Sequence, residues 1–241
     1  MAISLQLERN VKLFLIHARI HRFVRPLSNL LKKIGFLIEL SEWCDTRSDL
    51  QLDKHDKTFA HNKRYHLYEF LFKNHGLNGT VSYLEFGVAS GSSIKWWVEH
   101  NTSPNSRFVG FDTFTGLPED WSGGFKEGSF STGGKTPAVN DPRCDFQKGL
   151  FQDTLPEFLK AYCPPEHKQV IHLDADLYSS TLYVLTSLAG ILKAGDVLVF
   201  DEFNVPLHEF RAFHDFVAAY RIDYKVLGAV NSFHAVAIEL K

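Results

Sequence analysis

Four carboxylates crowd two short stretches of the chain: Asp174 and Asp176 in His172-Leu-Asp-Ala-Asp-Leu-Tyr178, and Asp201 and Glu202 in Phe200-Asp-Glu-Phe203. Each pair closes an apolar run, Lys168–Asp174 and Asp196–Asp201, so two strands would deliver all four acids to one rim of a sheet. Like charges that close are costly unless some carry protons or a cation sits among them. Oxygen-only ligation suits a hard divalent ion, Mg2+ first, with Mn2+ and Ca2+ as alternatives. Capping of the following helices competes with that reading, but it accounts for one acid per strand end rather than four.

A second constellation lies earlier. Glu85-Phe-Gly-Val-Ala-Ser-Gly-Ser-Ser93 follows the β-rich run Val81–Phe86 and opens a helical stretch, Ser92 to His100. Gly87 and Gly91 let the backbone come close to a ligand, although a tight turn without any ligand would use them equally well. The pattern is E-x-G-x-x-x-G, not the G-x-G-x-x-G that holds a pyrophosphate. A carboxylate at Glu85 suits a cationic amine or a hydrogen-bonded network better than a phosphate. Asp112 ends the next strand, Arg107–Asp112, where an acid is placed to accept hydrogen bonds from ribose hydroxyls.

The elements that must hold these residues alternate from residue 80 onward. A weaker strand at Phe146–Gly149 precedes a helix over Thr154–Tyr162. The strand Lys168–Asp174, a helix over Ser179–Lys193 and the strand Asp196–Asp201 follow, and Leu207, Phe210, Phe213 and Val217 mark one face of a further helix. The last runs, Tyr224–Val230 and Phe233–Leu240, are joined by Asn231-Ser232, too short for a parallel crossover. The pattern predicts an α/β, doubly wound, mostly parallel seven-stranded sheet with a C-terminal antiparallel hairpin. In such sheets ligands bind beyond the carboxyl ends of the strands, where both constellations fall. The loop Glu119–Arg143 sets Trp121, Phe125 and Phe130 among Gly123, Gly124, Gly128, Gly133 and Gly134, the makings of a lid. His208 and His214, six apart, read as packing or surface residues rather than joint ligands, and one of Trp96 and Trp97 reads as core.

With 241 residues, 44% of them apolar, and a net charge of -2, the chain has the makings of one globular domain and not of a nucleic-acid coat protein. Three scattered cysteines, Cys44, Cys144 and Cys163, form no CxxC pair, which fits a reducing compartment, the cytoplasm. Residues 1–60 read as a basic, helical extension and 61–241 as the catalytic domain. Up to Lys33 the extension carries seven basic residues against Glu8 alone, +6, which leaves -8 for the remainder. Two readings of residues 1–34 stay open: an arm packing on its own domain or on a second subunit to make a homodimer, and a basic amphipathic helix making peripheral contact with an anionic membrane. Ser41–Lys63 reads as a polar connector.

The turn at Glu85–Ser93 with Asp112 and the terminal hairpin resembles class I S-adenosylmethionine-dependent methyltransferases. More narrowly, Tyr83-Leu-Glu-Phe-Gly-Val88, Gly110-Phe-Asp-Thr-Phe-Thr-Gly-Leu-Pro118, Gly149-Leu-Phe-Gln-Asp-Thr-Leu-Pro156 and Leu173-Asp-Ala-Asp-Leu-Tyr-Ser-Ser-Thr181 resemble the macrocin O-methyltransferase (TylF) family over about residues 60 to 240. That family methylates sugar hydroxyls of antibiotics with S-adenosylmethionine and Mg2+. The resemblance implies Asp174, Asp201 and Glu202 as metal ligands and Asp176 as general base. It places Glu85, Phe86, Gly87, Val88, Ala89, Gly91, Ser92, Ser93, Asp112, Thr113, Phe114, Phe151, Gln152 and Asp174 around the cofactor. One departure stands out: the family's usual Asp-Asp pair is Asp201-Glu202 here. The acceptor would be a sugar hydroxyl of a glycosylated small molecule, a nucleotide sugar or a glycan. Two rivals, a nicotinamide-dependent sugar oxidoreductase and a non-catalytic binding protein of the same fold, lack support from the glycine spacing and from the four retained acids respectively.

Overall fold

The computed structural model describes residues 2–47, 50, 58–121 and 124–241; Met1, residues 51–57 of the expected connector, and Gly123 of the expected lid lie outside them. Two helices, α1 (Ala2–His17) and α2 (His21–Asp45), form the N-terminal arm, and α3 (Lys63–His75) leads into the sheet domain. The domain runs β1 (Ser82–Phe86), α4 (Ser92–His100), β2 (Arg107–Asp112), β3 (Cys144–Lys148), α5 (Phe151–Ala161), β4 (Gln169–Leu173), α6 (Tyr178–Leu188), β5 (Val197–Phe200), α7 (Glu209–Tyr220), β6 (Tyr224–Val230) and β7 (Ala235–Leu240).

The seven strands lie in the order β3-β2-β1-β4-β5-β7-β6, parallel except for the β7 pairings, which are antiparallel to β5 and β6. The order reverses beside β1, where β2 and β4 flank it, so the crevice expected for a ligand opens at the carboxyl ends of these strands. Central strands are apolar on both sides because helices cover both faces. Leu84, Phe86, Ile171, Leu173, Leu198 and Phe200 face α5, α6 and α7, whereas Tyr83, Val170, Val197 and Val199 face α3 and α4 through Leu67, Tyr68, Leu71, Ile94 and Trp97.

Three boundaries differ from the sequence reading. The arm's second helix runs past Ser41 to Asp45, because Leu40 and Trp43 dock into the sheet core and the Trp43 indole donates to the Tyr224 hydroxyl at 2.9 Å. The α5 helix begins at Phe151 rather than Thr154, and Phe151 packs edge-on against Phe86 at 5.5 Å. The α6 helix stops at Leu188, just before Gly190, instead of reaching Lys193. Trp97 is core, whereas Trp96 lies nearer the surface and stacks on His100 at 4.1 Å.

Candidate active site

A cavity of about 770 Å3 opens at the carboxyl rim of β1, β2, β4 and β5. Gly87 and Ala89 of the first turn, Asp112 and Thr113 after β2, Phe151 and Gln152 at the start of α5, and all four carboxylates line it. Strand ends and the turns after them supply nearly all of these groups, so the rigid sheet sets their spacing.

The β1–α4 turn is held by positive-φ backbone at Gly87 (+94°), Ala89 (+45°) and Gly91 (+81°). At Gly87 a Cβ would stand 1.7 Å from the Asp174 carbonyl oxygen, so only glycine fits between β1 and β4. Asp112 fastens the turn from the other side. The N–H groups of Val88 and Ala89 donate to one of its oxygens at 2.8 and 2.7 Å, and that of Phe114 donates to the other at 2.6 Å. This carboxylate therefore shapes the cradle while still facing the cavity.

Glu85 lies elsewhere. It is buried beneath the turn, on the α3/α4 side of the sheet, where the Tyr83 hydroxyl donates to it. Tyr83 also sits 2.6 Å from Nδ1 of His172, whose Nε2 is 3.4 Å from the Tyr68 hydroxyl, itself 3.1 Å from Ser93 Oγ. Burial pushes the Glu85 carboxyl up to about 8 and His172 down to about 4. Of the other residues assigned to the cofactor, Phe86, Val88, Ser93 and Phe114 are buried and do not line the cavity. Gly91 and Ser92 stand at the start of α4, also outside the lining.

At the rim, Asp174, Asp176 and Glu202 offer oxygen atoms that all lie within 4.8 Å of one another. Asp201 is turned to a partner absent from the sequence reading: Nη1 of Arg64, on α3, is 2.6 Å from it and 3.5 Å from Asp174. Burial disfavours charge on Arg64, but Asp201 and then Asp174 outweigh it and raise its pKa. A fifth acid, Glu209 at the start of α7, is wholly buried and accepts the Glu202 N–H at 3.0 Å. Burial first, and then the neighbouring Asp174, raises Asp201, Glu202 and Glu209 well above the usual carboxylate range. Asp176, held at a φ of +58°, is pushed up to about 8 by burial and then by Asp174 and Asp112. Among the described residues Glu202 Oε2 has no hydrogen-bond partner. An oxygen-only set with an orphaned buried carboxylate oxygen fits a hard divalent cation.

The cavity's outer wall is aromatic. Trp121, Phe125 and Phe130 pack against one another with ring centroids 4.9 to 6.4 Å apart, and Ser179 Oγ ties this loop to α6 by donating to Glu119 at 2.6 Å. Phe59, His61 and His234 form the opposite wall. Neither His208, whose Nδ1 accepts the Tyr178 N–H at 3.3 Å, nor the exposed His214 lines the cavity.

Residues 135–234 match the profile of the macrocin-O-methyltransferase (TylF) family. Over that stretch the chain is similar to the macrocin O-methyltransferases. In fold it is similar to the calicheamicin methyltransferase CalS11, with TM-score 0.55 and 18% identity over 86% of this chain and 91% of that one. The O-methyltransferase NovP aligns with TM-score 0.55 and 16% identity, over 86% of this chain and 98% of that one. A Bacillus cereus O-methyltransferase, solved with S-adenosylhomocysteine, aligns with TM-score 0.50 and 17% identity over 86% of this chain and 90% of that one. No curated protein matches the chain in sequence. The family match over residues 135–234 and the fold are both those of O-methyltransferases. No helix among the described residues is long and apolar enough to cross a membrane.

Proposed function

We propose that the protein methylates a hydroxyl of a sugar or sugar-bearing small molecule, using S-adenosylmethionine as donor and Mg2+ as metal. The observation that carries this reading is a single cavity that joins the Gly87–Ala89 turn and Asp112 to the clustered carboxylates of β4 and β5. Backbone at Gly87 and Ala89 would cradle the methionine end of the donor, with Gly91 and Ser92 behind the turn, Asp112 and Thr113 would hold the ribose, and Phe151 and Gln152 the adenine. Glu85 stands beneath the turn, bonded to Tyr83 rather than to the donor. The aromatic loop would wall the acceptor.

In the transfer the acceptor oxygen bonds to the methyl carbon, the carbon–sulfur bond breaks and its electron pair stays on sulfur, and the hydroxyl proton passes to a carboxylate of the rim. Alignment of oxygen, carbon and sulfur provides much of the rate. A bound divalent ion would supply acidity, lowering the pKa of a hydroxyl it coordinates. Asp174 and Glu202 are ligands in either arrangement we infer. The 2.6 Å pair between Arg64 and Asp201 favours Asp176 as the third ligand. In the alternative, Asp201 ligates and Asp176 takes the acceptor's proton, which requires Arg64 to move away.

Calorimetric titration with S-adenosylhomocysteine, with and without Mg2+ and with NAD as comparison, tests the site. Micromolar binding of the first alone is the expected result, and its absence in folded protein overturns the reading. Metal titration of the variants then divides the ligand sets: loss of Mg2+ binding in Asp176→Asn but not Asp201→Asn supports Asp176 as ligand, and the converse restores it as base.

A further inference from the structure

The turn between β6 and β7 is strained, and it leads into a histidine. Asn231, Ser232 and Phe233 all take left-handed backbone, with φ of +56°, +55° and +62°, a run that non-glycine residues hold only when their surroundings enforce it. Bonds on both sides enforce it here. The Asn231 amide pairs with the backbone of Ala60, donating to its carbonyl at 2.9 Å and accepting its N–H at 3.2 Å. Asn204 donates through Nδ2 to the Ser232 carbonyl at 3.1 Å. His234, the next residue, thus reaches the cavity from a clamped turn, with the Phe59 ring edge-on to it at 4.8 Å.

The same clamp decides which imidazole nitrogen carries the proton. With Nδ2 committed to Ser232, Asn204 presents Oδ1 to Nδ1 of His234, 2.9 Å away, so Nδ1–H is the donor. Burial, then Arg64 and His61, pushes the ring's pKa down to about 4, which keeps it neutral. Nε2 is left with a lone pair and, among the described residues, no hydrogen-bond partner. The sheet sets its position. Phe200 pairs with Val236, and the register continued two residues on brings His234 opposite Glu202, where its carbonyl accepts the Phe203 N–H at 2.7 Å. Neighbouring strands run ~4.8 Å apart, so a sugar whose reacting oxygen lies at the carboxylates reaches His234 with the adjoining oxygen.

We infer that His234 reads the acceptor: its Nε2 accepts a hydrogen bond from the free hydroxyl next to the one that is methylated, which selects sugars with two neighbouring free hydroxyls. This role rests on the proposed methylation of a sugar. An acceptor without that hydroxyl covers Nε2 and leaves it unpaired, and sites built around such a bond discriminate strongly.

Methyl transfer from labelled S-adenosylmethionine to a panel of nitrophenyl glycosides and their monodeoxy analogues tests this, with S-adenosylhomocysteine calorimetry as the control for each variant. The wild type is expected to lose at least ~10²-fold in kcat/KM on the analogue lacking the neighbouring hydroxyl. His234→Leu should raise KM for the parent sugar and treat parent and analogue within about threefold of each other. His234→Gln, which carries an amide oxygen near the place of Nε2, should keep a reduced discrimination of roughly tenfold. Unchanged discrimination in either variant leaves His234 a structural role only and overturns the proposal, as does a wild type that methylates both sugars equally. No transfer to any glycoside by protein that binds S-adenosylhomocysteine overturns the sugar reading itself, and the role of His234 with it.

Discussion

At the rim of β4 and β5 the chain gathers Asp174, Asp176, Asp201, Glu202 and Glu209 around a single arginine; along α2 it leaves eight large apolar side chains in water. The first region withdraws charge from solvent and the second leaves apolar surface in it, so neither serves the stability of the isolated chain. Buried carboxylates hold on to their protons, as Asp176 does with its pKa pushed up to about 8, because burial and then the neighbouring carboxylates Asp174 and Asp112 all disfavour its charge. Exposed leucines cost little singly, yet a continuous stripe of them marks a contact surface. The rim's chemistry is that of an oxygen-only set suited to a hard cation, and the arm's is that of an uncovered apolar face.

The sharpest way to break the rim is Gly87→Ala. A Cβ there meets the Asp174 carbonyl at 1.7 Å with φ at +94°, so urea unfolding should show a loss of about 4 kcal/mol or failure to fold. Next comes Asp176→Asn, which keeps shape but removes the carboxyl proposed for ligation or proton transfer. Turnover in a methyl-transfer assay is expected to fall ~10²- to 10³-fold, and retention of wild-type turnover would remove Asp176 from the chemistry.

Glu85 isolates the cost of burial from that of function. Its carboxyl is held up to about 8 when folded against an ordinary 4.5, so the folded state keeps a proton that the unfolded state has lost. Stability then falls as pH rises between those two values, by up to ~5 kcal/mol. Melting scans in chelator should show a flatter pH dependence for Glu85→Gln; an unchanged slope would assign the effect to the rim acids instead. The smallest expected effect lies on the arm. Leu31→Glu should change the free energy of urea unfolding by less than ~0.5 kcal/mol, since the side chain already stands in water.

The sheet was readable because its strands are short apolar runs ending in Asp or Glu, and the same ends carried the acids: Asp174 and Asp176 lie two apart, and Asp201 and Glu202 are adjacent. Local spacing could not show which face of β1 Glu85 takes. It shares Tyr83's face and pairs in register with His172, which draws it into a buried network under the turn instead of the cavity. Arg64 and Glu209 were not legible, because each enters the rim from a helix whose approach is set by packing on the sheet. Glu209 left one trace, an acid next to Phe210 at the head of an apolar helix face.

The backbone contact between Gly87 and Asp174 ties the glycine-turn side of the cavity to the carboxylate side without any side chain between them. Drift in one half drags the other, so neither can be retuned alone. The outer wall is free of that bond, being a glycine-spaced loop pinned to α6 by Ser179 and Glu119. New acceptors are therefore reached by redrawing the loop, while the chemistry behind it stays fixed.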